Sequence, residues 1–216
     1  MESITNSNDR IKILATDTVI LAKPSRSIQI FNIKGSFEDV AEAVMEYMDN
    51  RKLMSADVCI IAGSENITPK YNKLDKNIPQ ENKAQLATEI ADELINKINI
   101  FQHYLEKRDS RLIVASLIPC PRDQDYVKSN VDEAVQEIVS EAFVLTNDKI
   151  FNMMKERGLI MPDIKRYAQV SNKKYKYRRQ HKIRIAKYQE DLVHPTADIA
   201  TLMINMSIKA LMGKGM

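Results

Sequence analysis

Short apolar runs alternate with amphipathic stretches along the chain. The apolar runs have the composition of strands, and the amphipathic stretches place apolar residues on one helical face. The predicted strands alternate with the predicted helices, and the strands are continuous apolar runs, which is typical of buried parallel strands. We therefore predict an α/β three-layer sandwich with a mostly parallel five-stranded sheet. The predicted strands are 11–15, 27–31, 56–62, 111–117 and 143–146, and the predicted helices cover 37–48, 86–105, 131–142 and 199–210.

Two local signals refine this prediction. Ser36 and Asp39 are spaced as a capping box at the start of the first helix. Sites in parallel α/β folds lie beyond the carboxyl ends of the strands. We therefore look for a functional site in residues 16–18, at Gly35, in residues 63–66 and in the loop before the last helix.

The composition is that of a folded, non-membrane protein. The chain is 44% hydrophobic and 28% charged, and no apolar run is long enough to span a bilayer. Residues 1–10 are a polar lead-in unlike a signal peptide, and we predict one domain over residues 11–216. Cys59 and Cys120 stand apart in apolar contexts, which favours a reducing, cytoplasmic location and gives no zinc pattern. We expect no metal and no cofactor.

The net charge of +3 is unevenly distributed. No acidic residue lies between Asp163 and Glu190, and we name residues 164–189 the basic segment. The rest of the chain has 22 bases against 29 acids, a balance of −7. The ten bases of the segment are Lys165, Arg166, Lys173, Lys174, Lys176, Arg178, Arg179, Lys182, Arg184 and Lys187.

The basic segment has the chemistry of a nucleic-acid interface. Its Lys and Arg side chains can neutralise phosphates, and interleaved tyrosines can stack on unpaired bases. A solvated loop or a nuclear-localisation patch is the alternative. The predicted RNA-contacting residues are Lys173, Lys174, Tyr175, Lys176, Tyr177, Arg178, Arg179, Lys182 and Arg184, with Lys23, Arg26 and Arg122 as an extension across the carboxyl edge of the sheet.

Four loops in order resemble the SGNH (GDSL-type) hydrolase superfamily. Residues 15–18 stand where that family has Gly-Asp-Ser, and Gly35 matches its lone glycine. Residues 62–68 match its Gly-x-Asn-Asp block in position, and residues 191–196 match Asp-x-x-His before the last helix. The resemblance spans nearly the whole chain and implies the flavodoxin-like SGNH fold.

The catalytic set implied by the resemblance is incomplete. In such hydrolases Ser attacks an ester, His takes its proton, Asp orients the His, and a Gly amide and an Asn side chain hold the oxyanion. Asp191, His194 and Gly35 are kept, but Thr18 replaces the Ser and Glu65 replaces the Asn. Asn66 is one residue away and could substitute only if the loop shifted. The resemblance therefore implies a pseudo-hydrolase.

An inactive SGNH-like domain with a basic surface resembles in type the C-terminal RNA-binding domain of the insect Oskar proteins of germ plasm. SGNH-like domains of mobile elements are a second resemblance, through residues 117–123. We thus predict an inactive domain that binds RNA, with protein partners in a ribonucleoprotein assembly. The alternatives are a divergent esterase, with Thr18 or Ser64 as nucleophile beside Asp191 and His194, and a protein-interaction scaffold.

Overall fold

The computed structural model describes residues 10–17, 28–67, 78–117, 133–163 and 197–213, and the fold is given for these ranges. The first four predicted strands and the four predicted helices are present in the predicted order, with one short additional helix after β3. They are β1 (Ile11–Thr16), β2 (Ile28–Asn32), α1 (Phe37–Asn50), β3 (Ala56–Ile61), α2 (Ser64–Ile67), α3 (Gln80–Glu106), β4 (Arg111–Val114), α4 (Glu133–Glu156) and α5 (Ala197–Leu211).

The described strands form one parallel sheet in the order β2-β1-β3-β4. β1 pairs with β2 from Lys12↔Ile28 and with β3 from Ile11↔Ala56. All six residues of β3 are buried, which explains why this strand reads as a continuous apolar run. The prediction of an α/β protein with a parallel sheet is confirmed.

The fifth predicted strand is wrong. Residues 143–146 lie in the middle of α4, so the described part of the sheet has four strands rather than five. A run of four apolar residues fits a strand or a buried helix equally well. Here the helix continues its buried stripe through Ala142, Ile150 and Met154, and Thr146 Oγ1 donates to the carbonyl of Ala142 at 2.7 Å.

α4 runs parallel to α3 and packs along it. Ion pairs join the two helices in the same order along each: Lys83 to Glu137, Asp92 to Lys149, and Glu106 to Arg157. α1 also contacts α3, as expected when β2-α1-β3 and β3-α3-β4 are both right-handed crossovers that place their helices on one face of the sheet.

The last helix, α5, packs against β1 and β3. Cys59 of β3 and Ser207 of α5 are both fully buried. Burial raises the pKa of the Cys59 thiol to about 12, although the neighbouring Ser207 hydroxyl acts in the opposite direction. This cysteine is therefore a packed neutral thiol, not a reactive thiolate.

A buried carboxylate joins three segments at the amino edge of the sheet. Asp57 of β3 is 1% exposed. Its Oδ1 accepts from Nε of Arg10 and of Arg111, both at 2.8 Å, and its Oδ2 accepts from Nη2 of Arg111 at 2.7 Å. This charged group in an apolar strand is thus fully paired, as buried charges must be.

Candidate functional site

The carboxyl ends of β1, β2 and β3 meet at one edge of the sheet. The backbone N–H of Ile33 donates to the carbonyl of Thr16 at 2.9 Å, and that of Asp17 donates to the carbonyl of Ile61 at 3.2 Å. These bonds extend the strand pairing into the loops. They bring together three of the four predicted places: residues 16–17, Gly35 and residues 63–66.

Gly35 turns the chain from β2 into α1. Its φ is +142°, a conformation that side chains rarely adopt. A Cβ atom there would lie 2.4 Å from Oδ2 of Asp39. That oxygen accepts from the backbone N–H and the hydroxyl of Ser36, at 2.6 and 2.7 Å, while the Ser36 hydroxyl accepts from the Asp39 N–H. The predicted capping box is confirmed, and these Ser36 donors hold the pKa of Asp39 below its ordinary value.

Asn66 ties the loop after β3 to the first turn of α1. Its Oδ1 accepts from the backbone N–H of Phe37 at 2.8 Å, and its Nδ2 donates to Oε2 of Glu38 at 2.5 Å. The backbone N–H of Asn66 bonds to the carbonyl of Gly63. Both ends of the Asn66 carboxamide are therefore engaged in holding α1, and in this arrangement the side chain is directed to the helix start.

Glu38 also forms an ion pair with Lys97 of α3, which contacts Glu93 as well. Burial alone would raise the pKa of Glu38, but hydrogen bonds from Lys97 and Asn66 outweigh it and leave this pKa below its ordinary value. The carboxylate is thus ionised at neutral pH. It places a fixed negative charge beside the loop where the predicted oxyanion donors would stand.

Glu65 is exposed at the start of α2, whereas Ser64 and Asn66 are half-buried. Three carboxylates, those of Glu38, Asp39 and Glu65, thus lie on α1 and α2 next to the Gly35 turn. Two of them have partners, because Glu38 is paired with Lys97 and Asp39 accepts from Ser36.

No protein-family profile and no curated protein matches the chain. Among solved structures, the chain is similar to the crystal structure of a GDSL-like lipase from Bacteroides thetaiotaomicron. The TM-score is 0.54 with 15% sequence identity, and the match covers 86% of this chain and 75% of that one. At this identity the similarity concerns the fold alone.

The chain has a GDSL-like fold.

Several predicted site residues of this GDSL-like fold lie outside the described residues. They are Thr18, Asp191 and His194 of the hydrolase set, the extension residues Lys23, Arg26 and Arg122, and every predicted RNA-contacting residue of the basic segment. The structure thus places Gly35, Glu65 and Asn66 and leaves the other site predictions as predictions.

The last described residues before the basic segment contact the end of β4. The backbone N–H of Ser116, just after β4, donates to the carbonyl of Pro162 at 3.0 Å, and its hydroxyl donates to Asp163 Oδ1 at 3.4 Å. Pro162 is buried. Asp163 therefore lies at the carboxyl edge of the GDSL-like sheet, and the basic segment itself lies outside the described residues.

Asn147 of α4, whose side chain is hydrogen-bonded to the backbone just after β4 at this edge, was not identified from the sequence. It is 4% exposed, and its carboxamide bonds to both the N–H and the carbonyl of Leu117, at 2.7 and 3.2 Å. The sequence did contain a signal for this role, which is an asparagine within the apolar stripe of a helix. A buried amide side chain requires hydrogen-bond partners.

Within the described ranges, no helix is long and apolar enough to cross a membrane. Over the same residues, no group of three or more His, Cys, Asp or Glu side chains is arranged to hold a metal ion.

Proposed function

We propose that this chain is a GDSL-like domain without esterase activity that binds RNA through the basic segment. The observation that supports the proposal is the contact of Ser116 with Pro162 and Asp163, because Asp163, the residue before the basic segment, then lies at the carboxyl edge of the sheet. Ligands of parallel α/β folds bind at that edge.

The charge distribution supports a separate anion-binding region. The described ranges contain 14 Lys and Arg residues against 21 Asp and Glu residues, a balance of −7. The remaining residues contain 18 bases against 8 acids, a balance of +10. RNA phosphates would thus be repelled by the described residues and attracted to the basic segment, which carries this whole positive excess.

The absence of esterase activity is supported by the partners of Asn66. An oxyanion hole needs donors directed at the reacting oxygen, whereas this carboxamide bonds to Phe37 and Glu38. Loss of one such donor typically costs about 100-fold or more in rate. Thr in place of the nucleophilic Ser adds a methyl group that restricts its side chain.

Three finer points belong to the same proposal. The domain is an RNA-binding module of the Oskar type, acting in a germ-plasm-like ribonucleoprotein assembly. It works in the cytoplasm. The α5 helix covers the face of the sheet opposite α1 and α3, which gives three layers and is supported by its contacts with β1 and β3.

The test is fluorescence anisotropy of a labelled single-stranded RNA, titrated with protein at several salt concentrations. For the wild type we expect log affinity to fall linearly with log salt, by about 0.7 per neutralised phosphate. R178Q/R179Q should weaken binding and flatten this slope by about 1.4. The control K155Q/K209Q removes the same charge from exposed sites on α4 and α5 and should leave the slope unchanged.

A second pair of variants tests the stacking part of the proposal. Y175A/Y177A should weaken RNA binding by about tenfold per lost stacking contact, without changing the salt slope. Absence of RNA binding at low salt contradicts the proposal. Equal effects of R178Q/R179Q and K155Q/K209Q contradict its assignment to the basic segment.

A divergent esterase is the second candidate, favoured by one observation: Gly35 keeps its positive φ at the carboxyl edge in a fold similar to that of a lipase. Thr18 or Ser64 would then be the nucleophile, with His194 and Asp191 as base and orienting acid. This candidate predicts covalent labelling by a fluorophosphonate probe that is lost in H194A. No labelling of the wild type refutes it.

A further inference from the structure

A cavity of about 450 Å³ lies at the amino edge of the sheet, at the opposite edge from Gly35 and Asn66 of the candidate functional site. It is formed where α1 and α3 end and the chain turns into β3 and β4. Met48, Leu53 and Met54 form its apolar wall. Met48 is fully buried, whereas Met54 is 57% exposed. Met54 thus offers an apolar contact at the mouth of an open cavity whose volume lies within the range of small-molecule sites.

The rim of the cavity carries two lysines that are free to bind a ligand. Lys52 and Lys107 both line it and are both exposed. Within the described ranges, neither ammonium group forms an ion pair or a hydrogen bond. Their charges are therefore available to an anion.

The one carboxylate on the rim is already neutralised. Oδ1 of Asp49 forms an ion pair with Arg108 and accepts from the hydroxyl of Tyr104 at 2.8 Å. The guanidinium of Arg108 also lies 3.9 Å from the centre of the Tyr104 ring, a cation–π contact that fixes it further. The rim thus presents a net positive charge on a rigid base.

Basic residues near helix ends commonly offset the negative end of the helix dipole. Here, backbone N–H groups already donate to several of the carbonyls at the ends of α1 and α3. The carbonyls of Met48 and Asp49 accept from Leu53 and Lys52, and the carbonyl of Leu105 accepts from Arg108 and Ser110. The lysine side chains are therefore not needed as caps of these carbonyls.

We propose that this cavity binds a small organic anion, in which a carboxylate or phosphate group is joined to an apolar body. Lys52 and Lys107 hold the anionic group, and Met54 and Leu53 cover the apolar part. The thioether of Met54 is flexible and polarizable, which suits an irregular apolar ligand. This site is separate from the proposed RNA-binding segment and does not depend on it.

The test uses two fluorescent probes, the anion anilinonaphthalene sulfonate and the neutral N-phenylnaphthylamine. K52Q/K107Q should weaken binding of the anionic probe by about fivefold, the sum expected for two exposed ion pairs, and leave the neutral probe unaffected. M54S should weaken both probes. The control K155Q/K209Q removes the same charge elsewhere and should change neither.

Competition with octanoate and octyl phosphate identifies the head group. Displacement of the anionic probe by either one supports the proposal, and the stronger competitor shows whether the site prefers carboxylate or phosphate. Inorganic phosphate should not displace it. Failure of both organic anions to compete, or the same affinity in K52Q/K107Q as in K155Q/K209Q, overturns the proposal.

Discussion

Replacement of Asp57 with Asn should strongly destabilise the fold while keeping the shape of the side chain. The Asp57 carboxylate accepts three hydrogen bonds from two guanidinium groups, at 2.7 to 2.8 Å. It is 1% exposed, so water cannot replace these contacts. In the D57N variant the charge is lost, and an amide NH₂ replaces one of the two accepting oxygens.

The magnitude follows from the loss of one hydrogen bond and of the ion pair. The amide NH₂ of Asn meets a guanidinium donor where a carboxylate oxygen accepted, so at least one of the three bonds is lost, and a hydrogen bond to a charged group contributes about 1.5–3 kcal/mol. Removing one partner of a buried ion pair typically costs about 3–5 kcal/mol. Because the Arg111 side chain is 48% exposed, water solvates part of its charge, and D57N should lower the free energy of unfolding by about 3 kcal/mol.

Urea unfolding and thermal melting measure the effect. A loss of about 3 kcal/mol corresponds to a decrease in Tm of roughly 6–12 °C for a chain of this length. The control is D109N, because Asp109 contacts the same Arg10 but its side chain is 77% exposed. Solvent screens that pair, and we expect nearly wild-type stability. If D57N and D109N destabilise equally, burial is not the reason for the strength of this contact.

Three further predictions concern other described side chains. Because the pKa of Glu38 is lowered in the folded protein, ionised Glu38 stabilises the fold above its ordinary pKa of 4.5. This stabilisation is lost as the pH falls through the lowered pKa. The urea midpoint, measured down to about pH 3, should therefore fall less steeply with decreasing pH in E38Q than in the wild type. In a C120S background, buried Cys59 should react with a thiol reagent only when the protein unfolds, and fast labelling of the native state would contradict its burial. N147A should cost about 2 kcal/mol of unfolding free energy by leaving backbone groups of Leu117 without their partner, whereas N152A, at an exposed position of the same helix, should cost little.

Much of the fold follows from local patterns. The stripe of α1 and its Ser36–Asp39 capping box were both correctly predicted, because each depends on residues within one or two turns. The four strands were predicted within a few residues of their ends. β1, β3 and β4 are buried over most of their length and are therefore largely apolar, whereas β2 is partly exposed and was recognised by its alternation of apolar and polar residues. The error at residues 143–146 has the same origin, because a short apolar run does not distinguish a strand from a buried helix.

The candidate site was predictable only in part. The resemblance of ordered loops pointed to Gly35 and residues 63–66, and the structure brings these to one edge. The partners of Asn66 could not be predicted, because Phe37 and Glu38 are nearly thirty residues away in sequence. Sequence alone left Asn66 as a possible oxyanion donor, and tertiary contacts assign its carboxamide to α1.

Residue type and short spacing were enough to predict the first four strands, the start of α1 and the charge imbalance. The packed fold was needed to show that residues 143–146 are helical, that Asp57 is held by Arg10 and Arg111, and that Ser116 contacts Pro162 and Asp163. Each of these depends on contacts between residues far apart in the chain. Such contacts form only when the sheet and its helices pack together.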